Sequence, residues 1–558
     1  MSALPLRSAW LFVVLLAVAA YWGSEAAPFV YDDKIEVIGN RTIRLLEDWQ
    51  SIASYNLGRP LLIFSYAWNY DRFGMEPAGY HYTSAAIFAL AIGAALWMAE
   101  RVGALARLPA PLGLATAGVL LWAVHPMGTE AVIYTTGRSE TLCALFCLLS
   151  VGSWATALEV ERSQSPGAGW RALGVVSFLL ASLSKEVGAV VPGLWLGLEL
   201  LLGPGPRLAD RARSARWGWL VPAFVALVAA GVLRVWSTGA LLPAEADRGL
   251  LVQLTTQAFV WLRYLGLWLL PVEQTLFHHQ VELSPLSTQG LSAWVGLALI
   301  GVGGLWVGRR QPAVGFALLA AALTLLPSSS FVQLKENMAE HRAFQAGLYL
   351  LLGLVWAVGP RLSTRQTVGA VGAAALALLL ATRARVEVWS SEIALWTEAT
   401  ALRPDVADAW YGLGDAYRFA GRFEEAAPAY RAALNLDPNH LDAWNNLGIS
   451  RAELGDSAGA AEAWKGALKV KPSYCKGHNN LGGLAFNEKQ YEQARSEFLS
   501  TLAYCPDSVV AHYMLGKIYD EALKDSRRAQ MHYEAVIEID PHFSRAEEVK
   551  KRLLAITW

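Results

Sequence analysis

Up to residue 382, apolar runs of membrane-spanning length alternate with short polar loops, and beyond Arg383 the long apolar runs stop. A spanning helix needs about 20 mostly apolar residues. The pattern predicts spans over 5–22, 80–100, 111–126, 140–158, 170–184, 187–203, 217–236, 291–308, 312–327, 343–360 and 366–382. Two stretches fit less well. "RPLLIFSYAWNY" (59–70) is short, and "LTTQAFVWLRYLGLWLLP" (254–271) carries Arg263 at its centre and Pro271 at its end. If both lie in the interface or re-enter the membrane, the loops with Arg101 and Arg107, Arg207, Arg211, Arg213 and Arg216, Arg309 and Arg310, and Arg361 and Arg365 share one side. The excess of basic residues makes that side the cytoplasm. The expectation is an all-α membrane domain, 1–382, of about eleven spans. Its N-terminus is inside, and its long exported loops are 23–79 and 237–290. The first segment reads alternatively as a cleaved signal peptide, since "SEAAP" offers small residues.

The polar remainder repeats. Pro404, Pro438, Pro472 and Pro506 recur every 34 residues, with Pro541 one residue late. Leu413-Gly414, Leu447-Gly448, Leu481-Gly482 and Leu515-Gly516 keep the same period, as do Ala426, Ala460 and Ala494, and Tyr430, Trp464 and Phe498. This is the tetratricopeptide pattern, two antiparallel helices per unit, with Pro ending the second. The units are 407–440, 441–474, 475–508 and 509–543. A half-repeat over 383–406 precedes them, and 544–558 supplies a capping helix. Such a solenoid binds peptide or protein. Tyr411, Asn445, Asn446, Asn479 and Asn480 fall near its expected concave face, where Asn pairs can bind peptide backbone or stand as solvated helix residues. Cys475 opens the third unit and Cys505 closes it, so a disulfide between them is allowed in an oxidising compartment. Cys143 and Cys147 lie in an apolar run and read as packing residues.

Composition agrees with a polytopic membrane protein. Of 558 residues, 54% are hydrophobic and 17% charged, against about 25% charged in soluble proteins. A net charge of -1 argues against a nucleic-acid partner.

The topology places the polar clusters on one side. "YDDK" (31–34), "HPMGTE" (125–130), "GRSE" (137–140), "SKE" (184–186), "FHH" (277–279) and "AEHR" (339–342) all face the exported compartment. Charged groups at membrane depth are costly and usually serve a function or pair with one another. Asp32 and Asp33 can act as general base and positioning group, or hold a divalent cation; capping a helix start is the structural alternative. Arg138, Lys185 and Arg342 can gather round a phosphate. The alternative pairs each with a local carboxylate, Arg138 with Glu140, Lys185 with Glu186 and Arg342 with Glu340. His125, Glu130, Glu186, Glu340 and His341 complete the candidate donor-phosphate site. No P-loop, GxGxxG after a strand or GxSxG elbow is present, so cytoplasmic nucleotide chemistry has no support. Group transfer from a lipid phosphate to an exported acceptor fits the set.

In order along the chain, "YDDKIEVIGN", "GRPLLIFSYAWNY", "PAGYHYTSAAIFAL", "LLWAVHPMGTEAVIYTTGRSETLCALFCLLS", "SLSKEVGAVV" and "MAEHRAFQAGLYL" resemble the motifs of the TMTC-type membrane O-mannosyltransferases and their bacterial relatives. These are GT-C glycosyltransferases with C-terminal tetratricopeptide repeats. The resemblance implies a polyprenyl-phosphate sugar donor, often mannose, and a catalytic carboxylate in the first exported loop, here Asp32 or Asp33, with Asp32 favoured. It leaves a metal requirement open. The chain departs at Gly128, where the family often has a second His, at Ser139-Glu140 in place of Ala-Asp, and at Val187 in place of Gln. These departures bear on sugar and acceptor. The reading is a glycosyltransferase in a bacterial inner membrane with its array outside. The rival is a non-enzymatic membrane-anchored scaffold for envelope assembly.

Overall fold

The computed structural model describes residues 5–238, 249–278, 282–329, 334 and 336–557, and it is all-helical apart from one isolated bridge between His278 and Met338. His279 and part of the second long loop lie outside the described residues. The chain divides into two compact units, Met1–Leu395 and Trp396–Trp558.

The main helices of the first unit are α1 (Leu6–Tyr21), α2 (Pro60–Phe73), α3 (Pro77–Leu105), α4 (Pro111–Ala123), α5 (Arg138–Arg162), α6 (Ala168–Ser182), α7 (Val191–Leu202), α8 (Trp217–Thr238), α9 (Leu250–Leu269), α10 (Thr288–Arg310), α11 (Pro312–Leu325), α12 (Phe344–Val358) and α13 (Thr364–Trp389). Among the described residues, five helical segments are long and apolar enough to cross a membrane: α3, α5, α10, Glu340–Arg361 and α13. A sixth arises if α4 and the segment Pro126–Val132, bent by 65°, count as one span. Helices α1, α6 and α11 are apolar but shorter. Several apolar helices thus mark a multi-pass membrane protein, with fewer full-length candidates than the sequence pattern alone predicts. The physical reason is that polar turns interrupt the apolar runs. "HPMGTE" bends one, and "SKE" opens a 3-10 turn, Glu186–Val190, ahead of a 12-residue α7.

The two stretches of doubtful span character are both helical. Proline at the first turn starts α2, a position where its missing N–H costs nothing. Helix α9 is tied along its length to the loop segments around it. Gln257 donates to the Asn337 carbonyl, Trp261 to the Ser329 carbonyl, and the Tyr264 hydroxyl to the Ala339 carbonyl. Arg263 sits half-exposed, 3.5 Å from Glu273.

The second unit is the repeat array. Helix pairs Ala407–Phe419 with Phe423–Leu436, Leu441–Glu453 with Ser457–Val470, and Cys475–Asn487 with Tyr491–Tyr504 are followed by Val509–Lys517, Ser526–Ile539 and the terminal helix Ala546–Thr557. The Leu-Gly motif has a steric cause. A Cβ on Gly414, Gly448 or Gly516 would lie 2.7, 2.3 or 2.5 Å from the ring of Tyr430, Trp464 or Tyr533 on the facing helix. The proline carbonyls have a use as well: Trp410 and Trp444 donate to those of Pro404 and Pro438. His478 and His512 repeat that bond to Pro472 and Pro506.

Cys475 and Cys505 form a disulfide, with Cα atoms 6.4 Å apart and a sequence separation of 30. Replacing both by serine is expected to destabilise the array by about 2–4 kcal/mol. The check is a lower unfolding midpoint of the detergent-solubilised chain, together with maleimide labelling of the wild type at these positions only after reduction.

Candidate functional site

The segment after α1 turns sharply. Tyr31 has φ 47°, left-handed for a residue with a bulky side chain, a conformation that persists only when the surroundings hold it. Anchors on three successive residues do so. The Tyr31 hydroxyl donates to Glu336 at 2.7 Å, the Asp32 N–H donates to the Tyr134 hydroxyl at 2.9 Å, and the Asp33 carboxylate accepts from the Thr136 N–H at 2.7 Å and its hydroxyl at 2.6 Å. A π-helical turn, Lys34–Ile38, follows; such turns are frequent at functional sites. Lys34 then pairs with Glu392 at 2.6 Å.

The two aspartates have separate positions. Asp33 is buried, and its second oxygen accepts the Val30 N–H at 3.3 Å. Burial pushes its carboxyl up to about 7, against the pull of the Thr136 and Val30 donors. Asp32 is half-buried and faces the Tyr134 hydroxyl, with His341, Glu130 and Arg59 in electrostatic range. Burial raises its carboxyl above the ordinary aspartate range, while Tyr134, His341 and Arg59 oppose the rise. Both oxygens of Asp33 accept hydrogen bonds from local donors. Among the described residues no group of three His, Cys, Asp or Glu side chains is arranged to hold a metal.

His341, Glu130 and Arg59, in electrostatic range of Asp32, belong to further polar clusters. Glu130 accepts the His341 N–H at 2.9 Å and meets its Nδ1 at 2.5 Å. Lys185 and Glu140 form a buried ion pair at 2.6 Å. Arg59 holds Glu186 with Nε and Nη2, the closest contact 3.0 Å. Arg342 donates to the Glu336 carbonyl at 2.7 Å and is otherwise half-exposed. Glu340 is buried under His278, Gln274 and the Thr275 N–H at 2.8 to 3.0 Å. The clusters do meet, but through pairings other than the local ones the sequence suggests. Side chains one or two positions apart do not face each other on a helical turn, so Lys185 meets Glu140 rather than Glu186, and Glu186 meets Arg59.

Two expected phosphate ligands are not placed for that role. Arg138 is fully buried, and its guanidinium donates to Ser84, Ser65, Asn69 and the Tyr80 carbonyl at 2.7 to 3.0 Å. It welds α2, α3 and α5 and neither pairs with Glu140 nor reaches the Asp32 face. His125 accepts the Met127 N–H through Nδ1 and packs its ring on Trp268 at 4.4 Å, so it caps a turn. Arg59, Tyr134, Thr136 and Glu336 join the site although the sequence pattern does not mark them. Arg59 and Tyr134 lie inside the motifs quoted above, but nothing in their spacing points them at Asp32.

An apolar cleft of about 970 Å³ is lined by Trp261, Leu265, Trp268, Ile300, Leu318 and Ala346 among others. Ala343, next to Arg342 in sequence, also lines it.

In the array, Asn445 and Asn446 are buried. Asn480 donates to Asn445, Asn445 to Asn446, and Asn446 to Asp415, at 2.8 to 2.9 Å. Tyr411 packs on His440 at 4.6 Å. Residues one repeat apart stack on successive inner helices and bond to each other, so Asn445 and Asn446 are ladder residues rather than free peptide ligands. Asn479 and Asn480 are half-buried, and Asn479 keeps a buried side-chain oxygen with no partner.

Tetratricopeptide repeat profiles match residues 407–440, 445–509 and 509–543. A protein O-mannosyl-transferase of Caenorhabditis elegans is 25% identical over 459 residues, 76% of this chain and 62% of that protein. Human protein O-mannosyl-transferase TMTC3 is 23% identical over 490 residues, 76% of this chain and 51% of that protein. Human TMTC4 is 28% identical, over 36% of this chain and 30% of that protein. The chain therefore spans about half to three-fifths of the first two relatives' length. A solved tetratricopeptide protein, YrrB, described as having an unusual peptide-binding site, is 23% identical over 31% of this chain and 87% of its own, with a TM-score of 0.26. An all-α membrane unit followed by a tetratricopeptide array is the class of protein the fold defines. More particularly, the chain is a homologue of the TMTC-type protein O-mannosyltransferases.

Proposed function

We propose that this chain is a GT-C-type glycosyltransferase. It moves a sugar, mannose first among candidates, from a polyprenyl-phosphate donor to an exported protein or other surface acceptor. The observation that carries the reading is a single carboxylate, Asp32, held on a strained and triply anchored turn within range of His341, Glu130 and Arg59.

In the reaction Asp32 takes the proton of the acceptor hydroxyl as that oxygen bonds to the anomeric carbon. The bond from that carbon to the donor phosphate oxygen breaks, and its electron pair leaves with polyprenyl phosphate. One displacement inverts the sugar. Arg342, Arg59 and Lys185 supply positive charge where the departing phosphate gains negative charge. Glu130 fixes the His341 ring, and Asp33 fixes the turn. The apolar cleft suits a donor that stays in the bilayer by its lipid tail. The array suits capture of an exported peptide.

The same reading keeps about eleven spans, with α2 and α9 lying at the exported edge. Support comes from helices at every expected span and from the hydrogen bonds of α9 to residues 329–339. The Cys475–Cys505 bridge suits an oxidising compartment, which fits an array outside a bacterial inner membrane.

The reaction needs Asp32 ionised, and burial raises its pKa. Transfer is thus expected to fall off as pH drops through a midpoint above the ordinary aspartate value of about 3.9. A pH–rate profile of kcat/KM for the free enzyme checks this; an acid limb at or below that value contradicts it. The functional reading is tested by mass spectrometry of exported proteins. Hexose-modified peptides should vanish on deletion and return with the wild type. Unchanged glycopeptides, with envelope proteins lost on array truncation, would favour the non-enzymatic scaffold.

A further inference from the structure

Both oxygens of the buried Glu130 carboxylate go to one residue. Oε2 accepts the His341 N–H at 2.9 Å, and Oε1 meets Nδ1 of the same ring at 2.5 Å. An ionised carboxylate only accepts, so Nδ1 carries the proton and donates. In a neutral imidazole the bond at one nitrogen decides the state of the other. Nε2 therefore holds a lone pair. It has no hydrogen-bond partner among the described residues, and the side chain is 19% exposed.

The ring is held from both sides of its segment. The Tyr264 hydroxyl accepts the Ala339 N–H at 3.1 Å and donates to the Ala339 carbonyl at 2.8 Å. Glu340 is buried under its three donors, and Arg342 donates to the Glu336 carbonyl. The same two segments grip the turn of the base. Tyr31 bonds Glu336, five residues before His341, and the Asp32 N–H bonds Tyr134, four residues after Glu130. The pair thus stands beside Asp32, in electrostatic range of it.

A lone pair at Nε2 selects its ligand. The donor's phosphodiester is ionised and only accepts, so Nε2 cannot hold it. The reacting hydroxyl of the acceptor has one proton, and Asp32 takes it. The hydroxyls of the sugar itself are left as donors. We infer that His341 Nε2 accepts a hydrogen bond from a hydroxyl of the transferred sugar and so helps to select that sugar, with Glu130 as the positioning residue that sets the tautomer. The inference rests on Asp32 as base. It moves His341 from the phosphate to the sugar.

The test compares polyprenyl-phosphate mannose with its singly deoxygenated analogues, using the full chain in membranes, as wild type and as His341→Asn. The Asn amide can still donate to Glu130 but has no counterpart of Nε2. In the wild type, one analogue is expected to lose on the order of tenfold in kcat/KM, the effect of one hydrogen bond. His341→Asn should lose as much with the parent donor and nothing further with that analogue, since both changes remove the same contact. Losses that multiply for every analogue would overturn the inference. If His341→Asn does not fold, nitrogen NMR of the labelled wild type decides, with the His341 ring assigned through its backbone. Nε2 should be unprotonated, and its signal should move with the parent donor but not with the poorly used analogue. A proton on Nε2, or a signal that moves equally with all donors, overturns the proposal. Transfer that survives Asp32→Asn would overturn the base assignment, and this role with it. Transfer abolished by Asp32→Asn, with losses that multiply in His341→Asn, overturns the sugar contact alone.

Discussion

Asp32→Asn is expected to abolish sugar transfer and to leave a folded, membrane-inserted protein. The amide has the shape of the carboxylate and leaves the Asp32 N–H bond to Tyr134 in place, but it cannot take a proton from an acceptor hydroxyl. A general base contributes about 10²- to 10⁴-fold, enough to bring transfer near background. Stability should hold or rise slightly, because burial already disfavours the charge that the substitution removes. Asp33→Asn behaves differently. Its carboxylate accepts from two backbone N–H groups and a hydroxyl, and an amide presents an N–H to at least one of those donors. The turn is expected to loosen, the unfolding midpoint to drop, and transfer to fall because Asp32 is misplaced. The separation is checked by measuring labelled product and thermal unfolding on the same three preparations.

Arg138→Met is expected to remove the folded protein before any kinetic effect can be read. The guanidinium is the common donor for Ser65, Asn69, Ser84 and the Tyr80 carbonyl, all inside the protein. Buried hydrogen bonds to a charged group contribute about 1.5–3 kcal/mol each, and stranded acceptors add their own penalty. The sum is a large share of a typical stability of about 5–15 kcal/mol. The measurement is the yield and unfolding midpoint of the detergent-solubilised variant. A well-folded Arg138→Met protein with only a raised donor KM would return Arg138 to the phosphate site. Arg342→Met is the counterpart. It removes the hydrogen bond to the Glu336 carbonyl, and the expected result is modest destabilisation with a marked fall in transfer.

The sequence was most legible where contacts repeat. In the array each Leu-Gly, aromatic and proline performs the same packing once per 34 residues, so the pattern states the structure. The polar clusters were legible as a set, because charged groups at membrane depth are rare. Their partners were not. Lys185 and Glu140 are 45 residues apart, and Arg59 and Glu186 are 127 apart; nothing local announces either pair, while adjacent opposite charges suggest pairings the helical turn forbids. Arg138 misled for a related reason. A cation at the exported end of an apolar run reads as a ligand, and only the fold reveals Ser65, Asn69 and Ser84 round it. Asn445 and Asn446 looked like groove residues, but one-repeat stacking turns them on each other. The division of labour within the acidic pair needed three dimensions, since it depends on which carboxylate Thr136 claims.

The most direct test uses membranes from cells lacking this protein, supplied with radiolabelled polyprenyl-phosphate mannose and then with wild-type, Asp32→Asn or Asp33→Asn protein at matched levels. Label should enter an acceptor with the wild type, stay at background with Asp32→Asn and fall partway with Asp33→Asn. Wild-type transfer that Asp32→Asn leaves intact would contradict the account.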